Sequence, residues 1–269
     1  MTVLIGRADG LYQYHNGLTR CDCPLGCVSS LAASGGQLCA VDNTEHLLWN
    51  GRRLIAVDGG IEALLCWRGH ILTLSGETDS LTLLDGSTGQ PVTLAPAGVY
   101  PQDMCLLPDG NVAAVCGGAD GFIRLIALPA LRTLQQYRVP GFASRLMFQQ
   151  GALYVLCTVE DGSLRCLIGR LPLRTGRYEA LAVLPGLPGA IASDAHGGFY
   201  AAAGEGLYHF PAGAAHPDST AGGFGLIARI QADDRTVFLC DPVLDLCCLM
   251  QDGHRQPLCE GGVQCALLL

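Results

Sequence analysis

The sequence predicts an all-β fold, a seven-bladed β-propeller of four-stranded blades whose ring is closed by the C-terminal strand pairing with the N-terminal blade. Three observations lead to this prediction. A short apolar step recurs seven times, each step is followed by a turn and a second apolar run, and the two chain ends supply complementary parts of one unit. Short runs and turns repeating every 40 or so residues are typical of propeller blades.

The repeated step begins at a residue that is usually glycine and ends at a small or acidic residue. Each copy is followed by a turn such as ADG, TEH, TDS or PVLD and then by a second apolar run, which is the pattern of a β-hairpin. The seven copies are residues 2–6, 36–42, 69–75, 110–116, 151–157, 198–204 and 234–240.

A further apolar run precedes six of the seven copies and would form the innermost strand of each blade. The first copy lacks this run, and the last nine residues of the chain, GGVQCALLL, have no strands to follow them. The two chain ends therefore complete one blade, which removes an open edge. The predicted blades, within a single domain of residues 1–269, are residues 263–269 with 1–26, 27–57, 58–98, 99–140, 141–184, 185–221 and 222–262.

Composition excludes several classes of protein. Apolar residues make up 49% of the chain, yet no uncharged apolar run approaches the roughly 18 residues of a membrane-spanning helix. All 16 cationic side chains are arginine, which excludes lysine Schiff-base chemistry and a Walker-type phosphate loop. A net charge of −8 without a basic run makes nucleic acid a poor partner. We expect a protein that binds neither nucleic acid nor membrane.

The N-terminus and the cysteines indicate a cellular compartment. Arg7 and Asp9 interrupt the N-terminal apolar stretch too early for a signal peptide. In a chain without such a signal, 14 cysteines are expected to stay reduced. We therefore expect a cytoplasmic protein.

One stretch of the chain, residues 76–128, repeats a turn, a strand, an acidic-glycine hairpin, a proline before the inner strand and the tripeptide PDG. It resembles tandem YVTN-type propeller repeats, within the wider group of WD-repeat-like propellers. In this resemblance Pro101 is the proline before the inner strand and residues 108–110 form the inner hairpin turn. The Tyr-Val-Thr-Asn run is replaced by residues 113–116, and the WD dipeptide is absent. The resemblance implies the propeller fold and a tendency to bind partners.

The segment CDCPLGC, residues 21–27, places three thiols in seven positions. One interpretation is a three-thiolate metal site, although the paired C-x-x-C spacing and a nearby fourth ligand are missing. The other is packing: Cys21 and Cys23 would lie on one face of the outermost strand of the first blade, and Cys27 would start the next inner strand. We expect packing, with no metal and no cofactor.

The remaining cysteines also suit packing. The symmetry-equivalent thiols of Cys116, Cys157 and Cys240 end the repeated step in three different blades, so we expect them to lie too far apart for disulfides. Cys247 and Cys248 point to opposite faces of one strand; a vicinal disulfide is the alternative to two packing thiols. The position that ends the step is therefore expected to require a small side chain.

Polar residues that open the predicted inner strands form the first candidate site. Inner strands converge on the central channel of a propeller, and polar groups at the mouth of an apolar tunnel suit a small polar ligand. The alternative is that they are solvent-exposed strand ends. The residues are Ser29, Glu62, Asp103, Arg145, Arg229 and Gln264, with Tyr100 just before the fourth blade's inner strand.

Carboxylates in the hairpin after each step form the second candidate site. Seven carboxylates on one face would create a negative potential that attracts a protein or peptide with a basic patch. The alternative is ordinary turn chemistry, because aspartate tolerates left-handed backbone. The residues are Asp9, Glu45, Asp79, Asp120, Asp161, Glu205 and Asp245.

Two classes of function follow. The first is a non-catalytic propeller that binds a protein or peptide on the acidic face around the channel. The second, implied by the resemblance, is an enzyme of the lactonase or hydrolase kind with a polar site at the channel mouth. The chain has no H-E-x-x-H or G-x-S-x-G motif and few long insertions, which favours the first class. The sequence specifies neither catalytic residues nor an oligomeric state.

Overall fold

The computed structural model describes residues 2–233, 236–251 and 254–269. In these residues 28 strands form seven four-stranded antiparallel sheets, so the fold is the predicted seven-bladed β-propeller. The same residues contain no helix that is long and apolar enough to cross a membrane. Met1, where the first blade was predicted to begin, and Asp234, the predicted start of the seventh step, lie outside the described residues. We call the sheets blades 1 to 7 in chain order.

The chain divides into two compact units, residues 2–136 with Gln264–Leu269, and Tyr137–Val263. Blades 1 to 4 belong to the first unit, up to a boundary inside the last strand of blade 4. Blade 1 contains β1 (Val3–Arg7), β2 (Gly10–Tyr14), β3 (Leu18–Arg20) and the C-terminal strand β28 (Val263–Leu268). Blade 2 contains β4 (Ser30–Ser34), β5 (Gln37–Asp42), β6 (Leu47–Trp49) and β7 (Leu54–Ala56). Blade 3 contains β8 (Ala63–Trp67), β9 (His70–Ser75), β10 (Ser80–Asp85) and β11 (Pro91–Pro96). Blade 4 contains β12 (Asp103–Leu106), β13 (Val112–Cys116), β14 (Phe122–Ala127) and β15 (Arg132–Arg138).

The second unit carries blades 5 to 7. Blade 5 contains β16 (Phe142–Gln149), β17 (Ala152–Glu160), β18 (Leu164–Pro172) and β19 (Glu179–Pro185). Blade 6 contains β20 (Pro188–Ser193), β21 (Phe199–Ala203), β22 (Gly206–Phe210) and β23 (Ser219–Ala221). Blade 7 contains β24 (Arg229–Ala232), β25 (Val237–Asp241), β26 (Leu246–Gln251) and β27 (His254–Glu260).

The C-terminal strand completes blade 1, as predicted. Strand β28 pairs with β1, and the backbone N–H of Leu269 donates to the carbonyl oxygen of Thr2 at 3.0 Å. Val263, Ala266 and Leu267 are buried. The innermost strand of the first blade therefore comes from the far end of the chain.

The second strand of each blade contains more buried residues than any other strand of that blade, because its apolar side chains pack on both faces of the sheet. Strands β5, β9 and β13 coincide with the predicted steps and are buried over most of their length. Strand β17 runs beyond its predicted step, since its pairing with β18 continues to Glu160 and Leu164. Burial of these strands thus follows from the apolar steps, whereas the length of β17 is set by its pairing with β18.

The position that ends the step in blade 1 has no room for a side chain, which agrees with the small residue predicted there. A Cβ atom at Gly6 would lie 2.5 Å from both the Cys265 Sγ and the Val28 carbonyl oxygen, which no real structure tolerates. Cys116 and Ser75 occupy the equivalent positions of blades 4 and 3 and are buried. Close packing at the base of the hairpin sets this size limit.

Candidate binding surface

Each of the seven predicted carboxylates lies in the hairpin between the second and third strands of its blade. In the first unit these residues are Asp9, Glu45, Asp79 and Asp120. In the second unit they are Asp161, Glu205 and Asp245. We call this end of a blade its hairpin end. The inner strand of the same blade begins at this end too, because it runs antiparallel to the second strand, so the segment that connects it to the preceding blade also lies here.

Asp79 and Asp120 bind the segment that leads into blade 4. An Oδ1 atom of Asp79, in the blade 3 hairpin, accepts the backbone N–H of Tyr100 at 2.7 Å. An Oδ2 atom of Asp120 accepts the backbone N–H of Val99 at 3.2 Å and pairs with the Arg124 guanidinium at 2.6 Å. Two of the predicted hairpin carboxylates therefore fix the backbone of the segment that connects blades 3 and 4.

Tyr100 has an unusual backbone conformation and an exposed ring. Its φ is +56°, in the left-handed region that non-glycine residues rarely adopt, and it precedes Pro101, which disfavours helical backbone at that position. Its side chain is 53% exposed, and that of the neighbouring Val99 is 51% exposed. The segment thus holds an aromatic and an aliphatic side chain in solvent at a cost in backbone energy.

The backbone around Tyr100 is held by several further hydrogen bonds. Val99 forms a parallel bridge with Gly118, and its carbonyl oxygen accepts the N–H of Ala119 at 2.9 Å. The Gln102 side-chain Nε2 donates to the Tyr100 carbonyl oxygen at 3.4 Å. The exposed side chains therefore project from a fixed backbone, which lowers the entropy lost on binding.

Glu62 lies close to the same segment. A Cβ atom at Gly76 would meet the Glu62 Oε1 and the Pro101 carbonyl oxygen, both at 3.3 Å, so both groups border the Gly76 backbone. The Glu62 side chain is exposed. We define the Tyr100 surface as Val99 and Tyr100 together with the carboxylates of Glu62, Asp79 and Asp120.

The other predicted residues of the first unit are engaged in local structure or exposed. The Ser29 hydroxyl donates to the Val41 carbonyl oxygen at 3.0 Å and accepts the N–H of Asn43 at 3.1 Å. Asp103 opens β12, and its carboxylate accepts the N–H of Met104 at 2.9 Å. Gln264 is exposed as the second residue of β28.

Asp9 participates in a small polar cluster in the hairpin of blade 1. It pairs with the Arg7 guanidinium at 3.4 Å and accepts the Tyr12 hydroxyl at 2.9 Å. The hydrogen bond to Asp9 raises the pKa of Tyr12 above its usual value. Glu45, in the blade 2 hairpin, is exposed.

In the second unit the predicted residues occupy exposed or half-buried strand and turn positions. Asp161, Glu205 and Asp245 are exposed, and Arg229 is exposed at the start of β24. Arg145 does not open its inner strand as predicted. It is the fourth residue of β16, because that strand begins at Phe142 and contains a bulge between Ala143 and Arg145.

Sequence reasoning missed exposed aliphatic residues at the hairpin end of blade 7. Val243 and Leu244 form the tip of the β25–β26 hairpin and are exposed. The buried carboxylate of Asp241 fixes them, since its Oδ1 accepts both of their backbone N–H groups at 3.1 Å. The sequence did contain a signal for these exposed residues, because two aliphatic side chains stand between two aspartates in the turn that ends in PVLD.

The CDCPLGC segment packs against the core of the first unit. Strand β3 ends at Arg20, so Cys21 and Cys23 follow the outer strand instead of lying on it, and Cys27 precedes the inner strand β4. Cys21 and Cys23 contact the buried cluster that contains Leu25 and Val28. Burial raises the pKa of both thiols. Cys21 and Cys23 therefore pack against the core as predicted, but from the segment after the outer strand and not from the strand itself.

Cys27 is held by a buried aspartate. Its backbone N–H donates to the Asp42 Oδ2 at 3.0 Å. Burial alone would raise the pKa of Asp42, but hydrogen bonds from Thr44, Cys27 and Glu45 outweigh it and hold that pKa below its usual value. Within residues 2–233, 236–251 and 254–269, no group of three or more His, Cys, Asp or Glu side chains is arranged to hold a metal ion.

Comparison with known proteins supports the fold and gives no information on the function. No protein family and no curated protein matches the sequence. The structure is similar to a chain in the crystal structure of a mitotic checkpoint complex, with a TM-score of 0.72, 10% identity and coverage of 89% of this chain and 83% of that chain. It is also similar to a chain of Kuenenia stuttgartiensis hydrazine synthase, with a TM-score of 0.71, 14% identity and coverage of 88% and 80%. At these identities the likeness shows a shared fold alone.

Proposed function

We propose that the protein is a non-catalytic interaction module that binds a protein or peptide segment at the Tyr100 surface. The observation that carries the proposal is an exposed tyrosine held at φ +56° by a hydrogen bond from its N–H to the carboxylate of the neighbouring blade. Strained backbone that the surrounding structure enforces clusters at ligand-binding sites. Tyrosine is also among the residues that contribute most to binding at interfaces.

The charge of the Tyr100 surface favours a partner with a basic patch. The Asp79 carboxylate binds the Tyr100 backbone, and Glu62 borders Gly76 next to the Pro101 carbonyl oxygen, while Asp120 is partly neutralised by Arg124. The chain as a whole carries a net charge of −8. A positively charged partner would gain mainly in association rate, and nucleic acid would be repelled.

Two further observations support the proposal, and a third concerns the cellular compartment. One structural relative is part of a mitotic checkpoint complex and therefore of a protein assembly. Residues 76–128 resemble YVTN-type repeats, and Pro101 precedes β12 where that resemblance places it. All 14 cysteines, each in the described part of the chain, are thiols, which favours the reducing cytoplasm.

Site-directed photo-crosslinking tests the proposal. Tyr100 is replaced by p-benzoylphenylalanine, which keeps an aromatic ring at the strained position, and the full chain is irradiated in a cell extract. Val92 is the matched control, because it is an exposed apolar residue on the outer strand of blade 3. We expect discrete protein adducts at position 100 and none of the same mass at position 92.

The yield of adducts at increasing salt concentration distinguishes a partner attracted by charge from one that binds through non-specific apolar contact. The Debye length falls from about 8 Å at physiological ionic strength to about 3 Å at 1 M. Adducts at position 100 should therefore decline as salt is added. Equal adducts at positions 100 and 92, or no adduct at position 100, would count against this surface.

A further inference from the structure

Two buried thiols from neighbouring blades of the first unit lie in direct contact. Cys39 belongs to β5 in blade 2 and Cys66 to β8 in blade 3, and their Sγ atoms are 3.7 Å apart. The Cys66 Sγ also lies 3.8 Å from the carbonyl oxygen of Ala32. These two cysteines are not symmetry-equivalent, since one is on a second strand and the other on an inner strand, and this offset brings them together.

We propose that Cys39 and Cys66 are a disulfide-forming site, at which glutathione disulfide or a similar small disulfide converts two thiols into a covalent link between blades 2 and 3. A disulfide requires sulfur atoms about 2.05 Å apart, so the two Sγ atoms must approach by roughly 1.6 Å. Rotation of both side chains about their Cα–Cβ bonds moves the sulfur atoms by distances of that order. Strand β8 already packs against blade 2, mainly against β4 and also against β5.

The chemistry is two successive thiol–disulfide exchanges. The thiolate of one cysteine attacks a sulfur atom of glutathione disulfide, forms a mixed disulfide and releases one glutathione thiolate. The thiolate of the second cysteine then attacks the protein-bound sulfur and releases the other glutathione thiolate. The two cysteine protons pass through solvent to the two glutathione thiolates. Two cysteines are oxidised, and one glutathione disulfide is reduced to two glutathione molecules.

Burial makes oxidation of the two thiols slow, because the oxidant must wait for local opening of the structure. The side chain of Cys39 is 0% exposed and that of Cys66 is 6% exposed, so the oxidant reaches them only when β5 and β8 separate locally. The hydrogen bond between the thiols raises the pKa of Cys39, with burial adding to the rise, and lowers the pKa of Cys66, so Cys66 supplies the attacking thiolate once the site opens. The pair therefore responds to sustained oxidation.

The link would reinforce a boundary that already depends on polar contacts. At the hairpin end of the same boundary, the Asn43 side chain binds the backbone of Ile61 twice, through its Oδ1 at 2.8 Å and its Nδ2 at 3.1 Å. Cys39 and Cys66 are 27 positions apart in sequence, so a disulfide would close a loop of moderate length. By chain-entropy arguments such a loop raises the Tm by roughly 5 °C or more.

Peptide mapping of the full chain tests the site. Wild type is incubated with glutathione disulfide under native conditions, remaining thiols are blocked by alkylation, and cross-linked peptides are identified by mass spectrometry. Cys66→Ala removes one partner. Cys116→Ala is the matched control, because Cys116 is equally buried but belongs to blade 4. The Tm of each protein is measured before and after oxidation.

We expect a Cys39–Cys66 peptide as the first cross-link in wild type and in Cys116→Ala, with a rise in Tm that dithiothreitol reverses. Low urea should accelerate its formation, because it promotes the local opening. Cys66→Ala should show neither the cross-linked peptide nor the rise in Tm.

Retention of all 14 titratable thiols in wild type would overturn the proposal. So would a first cross-link at another pair, such as Cys240 with Cys247, which lie opposite each other on β25 and β26. If Cys66→Ala fails to fold, the wild-type peptide map alone decides.

Discussion

The carboxylate of Asp79 accepts the backbone N–H of Tyr100 at 2.7 Å, so a hairpin residue of blade 3 fixes the segment that leads into blade 4. Asp79 itself has a φ of +53°, a conformation that aspartate and asparagine tolerate better than other non-glycine residues. Its carbonyl oxygen accepts the N–H of Ala97 at 2.8 Å. One turn residue therefore holds the connecting segment at two points.

Replacing Asp79 should separate its structural role from its charge. Asp79→Ala removes the acceptor and places alanine in left-handed backbone, so we expect a loss of about 1–3 kcal/mol in the free energy of unfolding. Asp79→Asn keeps both the acceptor and the turn propensity, and it should cost less than about 1 kcal/mol. Urea denaturation of the two variants measures this difference. Equal losses would show that the hydrogen bond to Tyr100 is not the source of the stability.

Replacing Tyr100 by glycine should leave the fold intact. Glycine removes the strain at φ +56°, worth about 1–2 kcal/mol, but increases the entropy of the unfolded chain by a comparable amount. We therefore expect the free energy of unfolding to change by less than about 1 kcal/mol. If the free energy of unfolding fell by more than about 2 kcal/mol, the tyrosine ring would be contributing to the stability of the fold, which would contradict a role confined to binding a partner.

His209 in blade 6 lies between two carboxylates. Its Nε2 is 2.8 Å from Asp194 and its Nδ1 is 2.8 Å from Asp218, and the ring of Tyr200 lies 4.6 Å away. A neutral imidazole has one N–H and can donate to only one of the two carboxylates, so the charged form suits this position. Burial lowers the pKa of His209, but the hydrogen bonds to Asp194 and Asp218 outweigh it and raise that pKa above its usual value.

The raised pKa gives a pH dependence with a defined sign. The stabilisation is complete below the unfolded-state pKa of about 6.5 and is lost as the pH rises through the higher folded-state value. The lowered pKa values of Asp194 and Asp218 act only at acid pH, since their contribution is lost as the pH falls through their folded-state values. His209→Gln should therefore reduce the free energy of unfolding more at about pH 5.5 than at about pH 8.5. A reduction that is the same at both pH values would contradict the ion-pair account.

The C-terminal strand offers a matched pair of leucines. Leu267 is 6% exposed and packs in the core of blade 1, whereas Leu269 is 61% exposed. Leu267→Ala should lower the free energy of unfolding by about 2–5 kcal/mol, the usual cost of a core leucine, while Leu269→Ala should cost less than about 0.5 kcal/mol. Chemical denaturation compares the two. Similar small losses would argue against closure of blade 1 by β28.

Local patterns in the sequence were sufficient for the blades. The apolar steps predicted β5, β9 and β13, and the unmatched run at the C-terminus predicted the pairing of β28 with β1. These features depend on alternation, turn chemistry and the need to bury apolar surface, all of which a single chain displays. Arg145 was misplaced because a bulge shifts the register of β16, and a bulge has no apolar signature.

Contacts between blades were beyond sequence reasoning. The left-handed backbone of Tyr100 depends on carboxylates 20 and more positions away, at Asp79 and Asp120. The contact of Cys39 with Cys66 depends on how an inner strand packs beside the preceding blade. Such relationships depend on three-dimensional packing between residues that share no local pattern.

The dissociation constant of the partner recovered by crosslinking at position 100 tests the central claim most directly. It is measured for wild type, for Tyr100→Gly and for Leu94→Ala, an exposed apolar control on β11. The Tyr100 surface predicts that Tyr100→Gly weakens binding by about tenfold or more, while the control stays within about twofold of wild type. An unchanged dissociation constant for folded Tyr100→Gly would contradict the account.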